Sequence, residues 1–169
     1  MTRHTVMVIG AGAWGTALAS VFARVGNRTL IWDRNQSVLE HMEKNRRHPT
    51  IFPDVLLHEH ISICIDMNVT PALDCAVFVV PFQKFRLALK QFRDSGIAAK
   101  GIVCASKGLE LGTGSLAHQI VIDELGVETP FSQISGPNFA SEVINHCPAA
   151  ISVASSNRIL RESLVNMMY

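Results

Sequence analysis

The chain has 169 residues, which suits one globular domain and is long enough to bury a core without disulfides or a structural metal. Its 15 basic and 14 acidic residues give a formal net charge of +1, so no overall field favours nucleic acid or an anionic membrane. Although 48% of the residues are hydrophobic, no run approaches the ~18 apolar residues of a spanning helix, and no secretory signal or membrane anchor is expected.

The chain begins with a strand pattern, a glycine-rich turn and a helix pattern. Residues 5–9 are apolar, residues 16–23 have a helical pattern, and between them lies Gly10-Ala11-Gly12-Ala13-Trp14-Gly15. Gly10 permits a tight turn, Gly12 lets the backbone approach a pyrophosphate, and Gly15 allows helix and strand to pack closely. The N–H groups at the start of the helix would bind the anion. This pattern predicts a dinucleotide-binding unit, in which the Trp14 ring either lies along the cofactor or packs on neighbouring loops.

A second strand pattern, residues 29–32, ends in Asp33 and Arg34. These residues follow the glycines by about 20 residues, which is the separation at which such a fold binds the adenosine ribose. A carboxylate accepts a hydrogen bond from a ribose 2′-hydroxyl, whereas a guanidinium binds a 2′-phosphate. The sequence therefore allows either NAD or NADP as the cofactor. Because Asp33 lies nearer the strand end than Arg34, it favours NAD.

Strand and helix patterns then alternate along the chain. The strand patterns are residues 6–9, 29–32, 61–65, 76–80, 102–105, 131–135 and 149–154, and the later helix patterns are residues 36–45, 82–92, 116–125 and 157–169. Most of the strand patterns are continuously apolar, which indicates strands covered on both faces. We expect an α/β fold of the Rossmann type, a doubly wound, mostly parallel sheet with helices on both faces.

Glycine and proline mark the predicted boundaries. Gly26 and Gly126 are placed to end helices, and Thr70-Pro71 is placed to begin a short one. Residues 46–59, which contain Pro49 and Pro53, are predicted to form a surface loop.

Three turns follow strand patterns and should meet at one edge of the sheet. They are residues 10–15, Ser106-Lys107-Gly108, and Ser135-Gly136-Pro137-Asn138. In an open parallel sheet, ligands bind at the carboxyl ends of the strands. Lys107 is therefore a candidate cation at an anion site, or else a solvated loop lysine. Asn138 is a candidate ligand, or else a plain helix N-cap.

Pro81 ends another strand pattern because proline donates no hydrogen bond to a sheet. The apolar residues beside Pro81 either border an adenine site or only pack in the core.

The chain has four cysteines, which lie far apart and have no Cys-x-x-Cys spacing: Cys64, Cys75, Cys104 and Cys147. This distribution favours a reduced, cytoplasmic protein.

Two other segments are weak candidates. Residues 44–48 are basic but lack interleaved aromatic residues, so they predict a solvated helix end and no nucleic-acid partner. His58 and His60 have no third ligand at a suitable spacing, so no metal site is predicted.

Four motifs together resemble one enzyme family from Val6 to about Ser155. They are residues 8–19, Val79-Val80-Pro81, Ser106-Lys107-Gly108-Leu109-Glu110, and Ser135-Gly136-Pro137-Asn138-Phe139-Ala140-Ser141-Glu142, and Trp32 also matches. In this order they resemble the N-terminal domain of NAD(P)-dependent glycerol-3-phosphate dehydrogenase. The loop after His48 departs from the family, since it reads Pro49-Thr50-Ile51-Phe52-Pro53 where a leucine-proline-glycine turn is usual.

The resemblance implies where the ligands bind. The implied cofactor residues are Gly10, Gly12, Ala13, Trp14, Gly15, Asp33, Arg34, Pro81, Lys107 and Ala140. Lys107, Gly136 and Asn138 are implied at a small phosphorylated substrate, with Lys107 and Asn138 as catalytic residues. The implied reaction transfers hydride between the nicotinamide and C2 of glycerol 3-phosphate, which it interconverts with dihydroxyacetone phosphate, a step in glycerophospholipid precursor supply.

The family's principal acid/base lysine belongs to a helical C-terminal domain, and no lysine follows Lys107. We therefore expect a cofactor-binding domain over residues 1–155, an amphipathic helix over residues 156–169 that begins a helical substrate domain, and little turnover by the chain alone. The chain is expected to associate either with a second copy of itself or with such a substrate domain. The alternatives are a noncatalytic dinucleotide-binding module and a related dehydrogenase of another hydroxy acid or alcohol.

Overall fold

The computed structural model describes residues 4–67 and 71–169, which fold into one sheet covered by helices. The strands in these residues are β1 (Thr5–Ile9), β2 (Arg28–Trp32), β3 (Ile61–Ile63), β4 (Cys75–Phe78), β5 (Ile102–Cys104), β6 (Phe131–Ser135) and β7 (Ser152–Ala154). The helices are α1 (Ala13–Arg24), α2 (Gln36–Asn45), α3 (Phe85–Asp94), α4 (Ala117–Leu125), α5 (Ala140–Ile144) and α6 (Arg158–Met168), and the 3₁₀ turn Phe82–Lys84 precedes α3.

The sheet has the strand order β3-β2-β1-β4-β5-β6-β7. Strands β1 to β6 run parallel, and β7 pairs antiparallel with β6. The chain winds outward from β1 in one direction and then from β4 in the other, so the order reverses between these two strands. This arrangement confirms the predicted doubly wound fold, and its carboxyl edge between β1 and β4 is where such sheets bind ligands.

Alternate side chains of β1 enter two separate cores. Val6 and Val8 pack with α1 and α6 on one face, whereas Met7 and Ile9 pack with α3 and α4 on the other. These four of the five β1 side chains are fully buried. Because both faces are covered, the strand sequences are continuously apolar, as predicted.

Several elements are shorter than predicted. The patterns at residues 61–65, 76–80, 102–105 and 149–154 overlap strands β3, β4, β5 and β7, but these strands end or begin inside the patterns. The apolar residues that follow these strands, such as Val79, Val80 and Ala105, line clefts at the edge of the sheet. Of the short helix predicted at Thr70-Pro71, Thr70 lies outside the described residues, and Pro71 is not helical.

The last helix folds back onto the sheet. Asn157 caps α6, since its side-chain oxygen accepts a hydrogen bond from the Leu160 N–H at 2.9 Å. Leu160, Leu164 and Met167 are buried, and the Asn27 amide donates to the Met167 carbonyl oxygen at 2.7 Å. Among the helices described, none has the length and apolar character needed to cross a bilayer.

Candidate functional site

The glycine-rich turn fits tightly between the ends of β2 and β4. The Gly10 N–H donates to the Trp32 carbonyl oxygen at 2.7 Å. Gly10 has a φ of +114°, and a Cβ there would lie 2.5 Å from the Val79 carbonyl oxygen, so only glycine fits. A Cβ on Gly15 would overlap the Gly10 carbonyl oxygen. These two glycines therefore allow the turn itself to form.

Gly12 has a different environment. It is exposed, and a Cβ placed on it would meet no atom within 4 Å. It is also the N-cap of α1, which has no side-chain cap hydrogen bond. The open space in front of Gly12 therefore adjoins the first backbone N–H groups of α1, which carry the positive end of the helix dipole and suit an anion.

Asp33, at the end of β2, is hydrogen-bonded to the glycine-rich turn. Its Oδ2 accepts a hydrogen bond from the Ala11 N–H at 2.7 Å, and its Oδ1 accepts one from the Asn35 N–H at 2.9 Å. Both carboxylate oxygens thus hold backbone groups, while the residue also lines a cleft beside the turn. Each oxygen retains a further lone pair for a ligand hydroxyl.

The first cleft has a volume of about 390 Å³ and lies against β2, β4 and α3. Five of the predicted cofactor residues line it, namely Gly10, Gly12, Asp33, Arg34 and Pro81. Sequence reasoning missed its far wall, which is made by Lys84, Leu87, Ala88 and Gln91. The helical spacing of residues 87, 88 and 91 was the only signal available, and it does not tell which face of a helix borders a cleft.

The second cleft has a volume of about 290 Å³ and lies on the other side of the α1 N-terminus. Trp14, Lys107, Gly136 and Asn138 line it together, as the convergence of the three turns predicted. Ile151, which was not predicted at the site, also lines it. The Lys107 Nζ donates to the Gly136 carbonyl oxygen at 3.5 Å, which leaves its charge at the mouth of the cleft.

Asn138 is not the helix N-cap that the sequence left open, because Phe139 occupies that position for α5. The Asn138 Nδ2 donates to the Ala150 carbonyl oxygen at 2.8 Å, and its Oδ1 accepts from the Ala150 N–H at 3.3 Å. Asn138 thereby holds the turn after β6 to the segment that enters β7.

The Lys107 loop is held by side chains that follow Pro81. The Gln83 Nε2 donates to the Leu109 carbonyl oxygen at 2.8 Å, and Gln83 Oε1 accepts from the Leu111 N–H at 2.9 Å. Arg86 forms a two-pronged ion pair with Glu110, with distances of 2.7 and 2.8 Å. The guanidinium lowers the pKa of Glu110 to about 2, and the carboxylates around Arg86 raise its own pKa.

The remaining predicted residues lie beside the clefts. Ala13 is the first residue of α1, and Gly15 is buried in its first turn. Ala140 packs against a small buried cluster of Ala17, Val143 and Ile144, as Trp14 does. Among residues 4–67 and 71–169, no group of three or more histidine, cysteine or acidic side chains is placed to hold a metal ion.

Comparison with known proteins identifies the relatives of this chain. Residues 5–160 match the family described as NAD-dependent glycerol-3-phosphate dehydrogenase N-terminus. A glycerol-3-phosphate dehydrogenase [NAD(P)+] of Thioalkalivibrio sulfidiphilus is 37% identical over 157 residues, which are 92% of this chain and 47% of that protein. The enzyme of the same name from Methylococcus capsulatus is 32% identical over 169 residues, covering 99% of this chain and 50% of that protein.

Solved structures agree with the fold. The crystal structure of glycerol-3-phosphate dehydrogenase from Coxiella burnetii superposes with a TM-score of 0.91 and 31% identity, over 99% of this chain and 51% of that one. The Plasmodium falciparum glycerol-3-phosphate dehydrogenase superposes with a TM-score of 0.85 at 20% identity, over 99% of this chain and 50% of that one. The chain thus spans about half the length of the relatives that it matches.

Proposed function

The chain belongs to the family of the N-terminal domain of NAD-dependent glycerol-3-phosphate dehydrogenase, and from this membership we propose that it is the cofactor-binding half of such an enzyme. The enzyme would transfer hydride between NAD(P)H and dihydroxyacetone phosphate, with sn-glycerol 3-phosphate as the reduced product. The observation that carries the proposal is the uncapped N-terminus of α1, which lies between two clefts at the carboxyl edge of the sheet.

The dinucleotide would lie across both clefts. Its pyrophosphate would rest at Gly12 against the N–H groups of Ala13 and Trp14, because no side chain occupies that space. The adenosine would enter the first cleft between Arg34 and Pro81, and the nicotinamide would reach the second cleft beside Trp14. Gly10 and Gly15 would shape the turn, and Ala140 would support Trp14 from α5.

The substrate would bind in the second cleft next to the nicotinamide, which supplies or accepts the hydride. The Lys107 ammonium would hold and polarise the C2 oxygen of the substrate, and its charge would stabilise negative charge that develops there. Gly136 would line the substrate space, and Asn138 would orient the substrate with an amide that Ala150 already fixes. Among the residues that line this cleft, Lys107 is the only one with a full charge.

Two features bear on the choice between NAD and NADP. The Asp33 carboxylate favours a ribose 2′-hydroxyl and repels a 2′-phosphate. Arg34 and Lys84 line the same cleft and place two cations near that ribose. We propose that the site accepts both cofactors and, because Asp33 lies nearest the turn, prefers NAD.

The setting and partners are also proposals. Cys64, Cys75 and Cys104 are buried thiols, which suits a reducing, cytoplasmic compartment. We propose that the edge of the sheet at which the parallel strands end faces a helical substrate domain. The alternative partner is a second copy of the chain.

The proposal is tested by isothermal titration of the 169-residue chain with NADH and NADPH, followed by a turnover assay with dihydroxyacetone phosphate. We expect saturable binding of dinucleotide with 1:1 stoichiometry and little turnover. Rapid turnover by this chain would show that its own residues suffice for the acid/base chemistry. The absence of dinucleotide binding would overturn the assignment.

A further inference from the structure

Gln83 is an exposed residue of the 3₁₀ turn that precedes α3, and the proposed function does not use it. Its side-chain amide binds the backbone of the loop that follows Lys107. The Gln83 Nε2 donates to the Leu109 carbonyl oxygen at 2.8 Å, and its Oε1 accepts from the Leu111 N–H at 2.9 Å. Both the donor and the acceptor of the amide are therefore used, and they hold the loop at two points that are two residues apart.

The Lys107 side chain has little support of its own. Among the residues that the structure describes, its ammonium donates only to the Gly136 carbonyl oxygen, and the distance of 3.5 Å is long for a hydrogen bond. The side chain is exposed at the mouth of the second cleft. The direction of its charge therefore depends on the backbone on either side of Lys107.

The backbone before Lys107 is fixed at the sheet. The Ser106 hydroxyl donates to the Val80 carbonyl oxygen, and the Ser106 carbonyl oxygen accepts from Gln133 Nε2 at 3.0 Å. Val80 follows β4 and Gln133 belongs to β6, which are the two neighbours of β5 in the sheet. The chain is thus held between these strands where it leaves β5.

The backbone after Lys107 passes through a glycine. Gly108 has a φ of +143°, a conformation that favours glycine. Because a glycine restricts the backbone less than any other residue, contacts must fix the direction of the chain beyond it. The hydrogen bond from Gln83 to the Leu109 carbonyl oxygen supplies such a contact at the next residue. Lys107 therefore lies between backbone held at Ser106 and backbone held by Gln83.

The rest of the loop is held separately. The Glu110 carboxylate binds Arg86 of α3, and the Glu110 N–H donates to the Ser115 carbonyl oxygen at 3.0 Å, which closes residues 110–115 into a turn. These contacts do not involve the Gln83 amide. Loss of that amide should therefore loosen the chain next to Lys107 and leave the turn attached to the domain.

We propose that Gln83 is a positioning residue for the reaction, which holds the backbone beside Lys107 so that the ammonium faces the second cleft. This inference rests on the proposed function, since it assumes that Lys107 binds the substrate. The 3₁₀ turn already lines the first cleft through Lys84, so a single short segment after β4 would serve both clefts.

The test is a double-mutant cycle on the 169-residue chain, made of Gln83→Met, Lys107→Met and the two changes together. Methionine keeps an unbranched side chain and removes the amide. When the NADH complex is titrated with dihydroxyacetone phosphate, the dissociation constant of Gln83→Met should be about threefold to tenfold above the native value. In the Lys107→Met background, the same change should alter it by less than about twofold. The matched control, Gln36→Met at an exposed position of α2, should keep the native affinity.

A second measurement does not depend on substrate binding, and it decides the question if the Lys107→Met chains bind too weakly to titrate. Hydrogen exchange of the backbone amides is followed by NMR in the native chain and in Gln83→Met. The Leu111 N–H should exchange faster in Gln83→Met, because it loses its acceptor, and the Lys107 and Gly108 amide resonances should shift. The amides of β5 should keep their native exchange rates.

The outcomes separate this inference from the proposed function. A native dissociation constant in Gln83→Met, an equal weakening with and without Lys107, or native exchange at Leu111 overturns the inference alone. Failure of the native NADH complex to bind dihydroxyacetone phosphate overturns the substrate site as well. Failure of the native chain to bind NADH overturns the proposed function itself.

Discussion

The guanidinium of Arg86 donates two hydrogen bonds to the carboxylate of Glu110, at 2.7 and 2.8 Å. Arg86 belongs to α3, and Glu110 lies three residues after Lys107, so this pair joins the helix beside the first cleft to the loop that enters the second. The position of the Lys107 loop thus depends on an ion pair outside both clefts.

This pair should make stability depend on acid pH. The pKa of Glu110 is lowered from 4.5 to about 2, so its stabilising effect is complete above pH 4.5 and disappears as the pH falls through about 2. We expect Glu110→Gln to lower the melting temperature at pH 7 and to reduce the loss of stability between pH 4.5 and 2. Thermal unfolding across this range measures both effects. The control is Glu40→Gln, at an exposed position on α2, which should keep the native dependence of melting temperature on pH.

Gly12 and Gly15 should respond oppositely to the same substitution. Gly12→Ala adds a methyl group where no atom lies within 4 Å, so we expect a native melting temperature but at least tenfold weaker dinucleotide binding, because the methyl occupies the pyrophosphate position. Gly15→Ala forces a methyl group onto the Gly10 carbonyl oxygen and should cost about 3 kcal/mol or more of stability. Differential scanning fluorimetry and calorimetric titration separate the two effects. Normal affinity in Gly12→Ala would contradict the placement of the pyrophosphate.

Asp33→Asn should affect both the turn and cofactor choice. The asparagine oxygen can replace only one of the two acceptors that hold Ala11 and Asn35, so we expect a loss of about 1–2 kcal/mol of stability. Loss of the negative charge should also raise the affinity for NADPH relative to NADH. Thermal unfolding and paired titrations with the two cofactors measure these changes. Asp54→Asn, at an exposed loop position, should change neither, and an unchanged cofactor ratio in Asp33→Asn would exclude Asp33 from the choice.

Lys107→Met should separate substrate binding from cofactor binding. The Lys107 side chain is exposed at the mouth of the second cleft, so its replacement should change stability by less than about 0.5 kcal/mol. We expect NADH to bind normally and dihydroxyacetone phosphate to bind at least tenfold more weakly to the NADH complex. Titration of that complex tests this, with Lys44→Met on the exposed face of α2 as the control. Equal affinity in both variants would remove Lys107 from the substrate site.

The sequence was a good guide wherever a short segment determines its own environment. The glycines of residues 10–15 predicted the turn, the continuous apolar strands predicted a sheet covered on both faces, and the helix pattern of residues 157–169 predicted α6. Lys107 and Asn138 could be brought to one cleft because parallel strands end at one edge.

The features that sequence reasoning missed depend on distant contacts. His48 looked like part of a basic helix end, because nothing near it in sequence shows that the fold would bury its ring. Lys84 and Gln91 line the first cleft, and their helical spacing does not show which side of the 3₁₀ turn and α3 borders it. The hydrogen bonds of Asn138 reach Ala150, twelve residues away, so its neighbours in sequence could not distinguish a cap from this link.

The contact between Asn27 and Met167 has a consequence for biosynthesis. The two residues are 140 positions apart, and the Asn27 amide is buried where it meets the end of α6. While the ribosome is still translating the region of α6, the first strand–helix unit has emerged with one flank uncovered. That unit can therefore complete its packing only after α6 has left the ribosome, and until then its apolar flank is a natural target for chaperones.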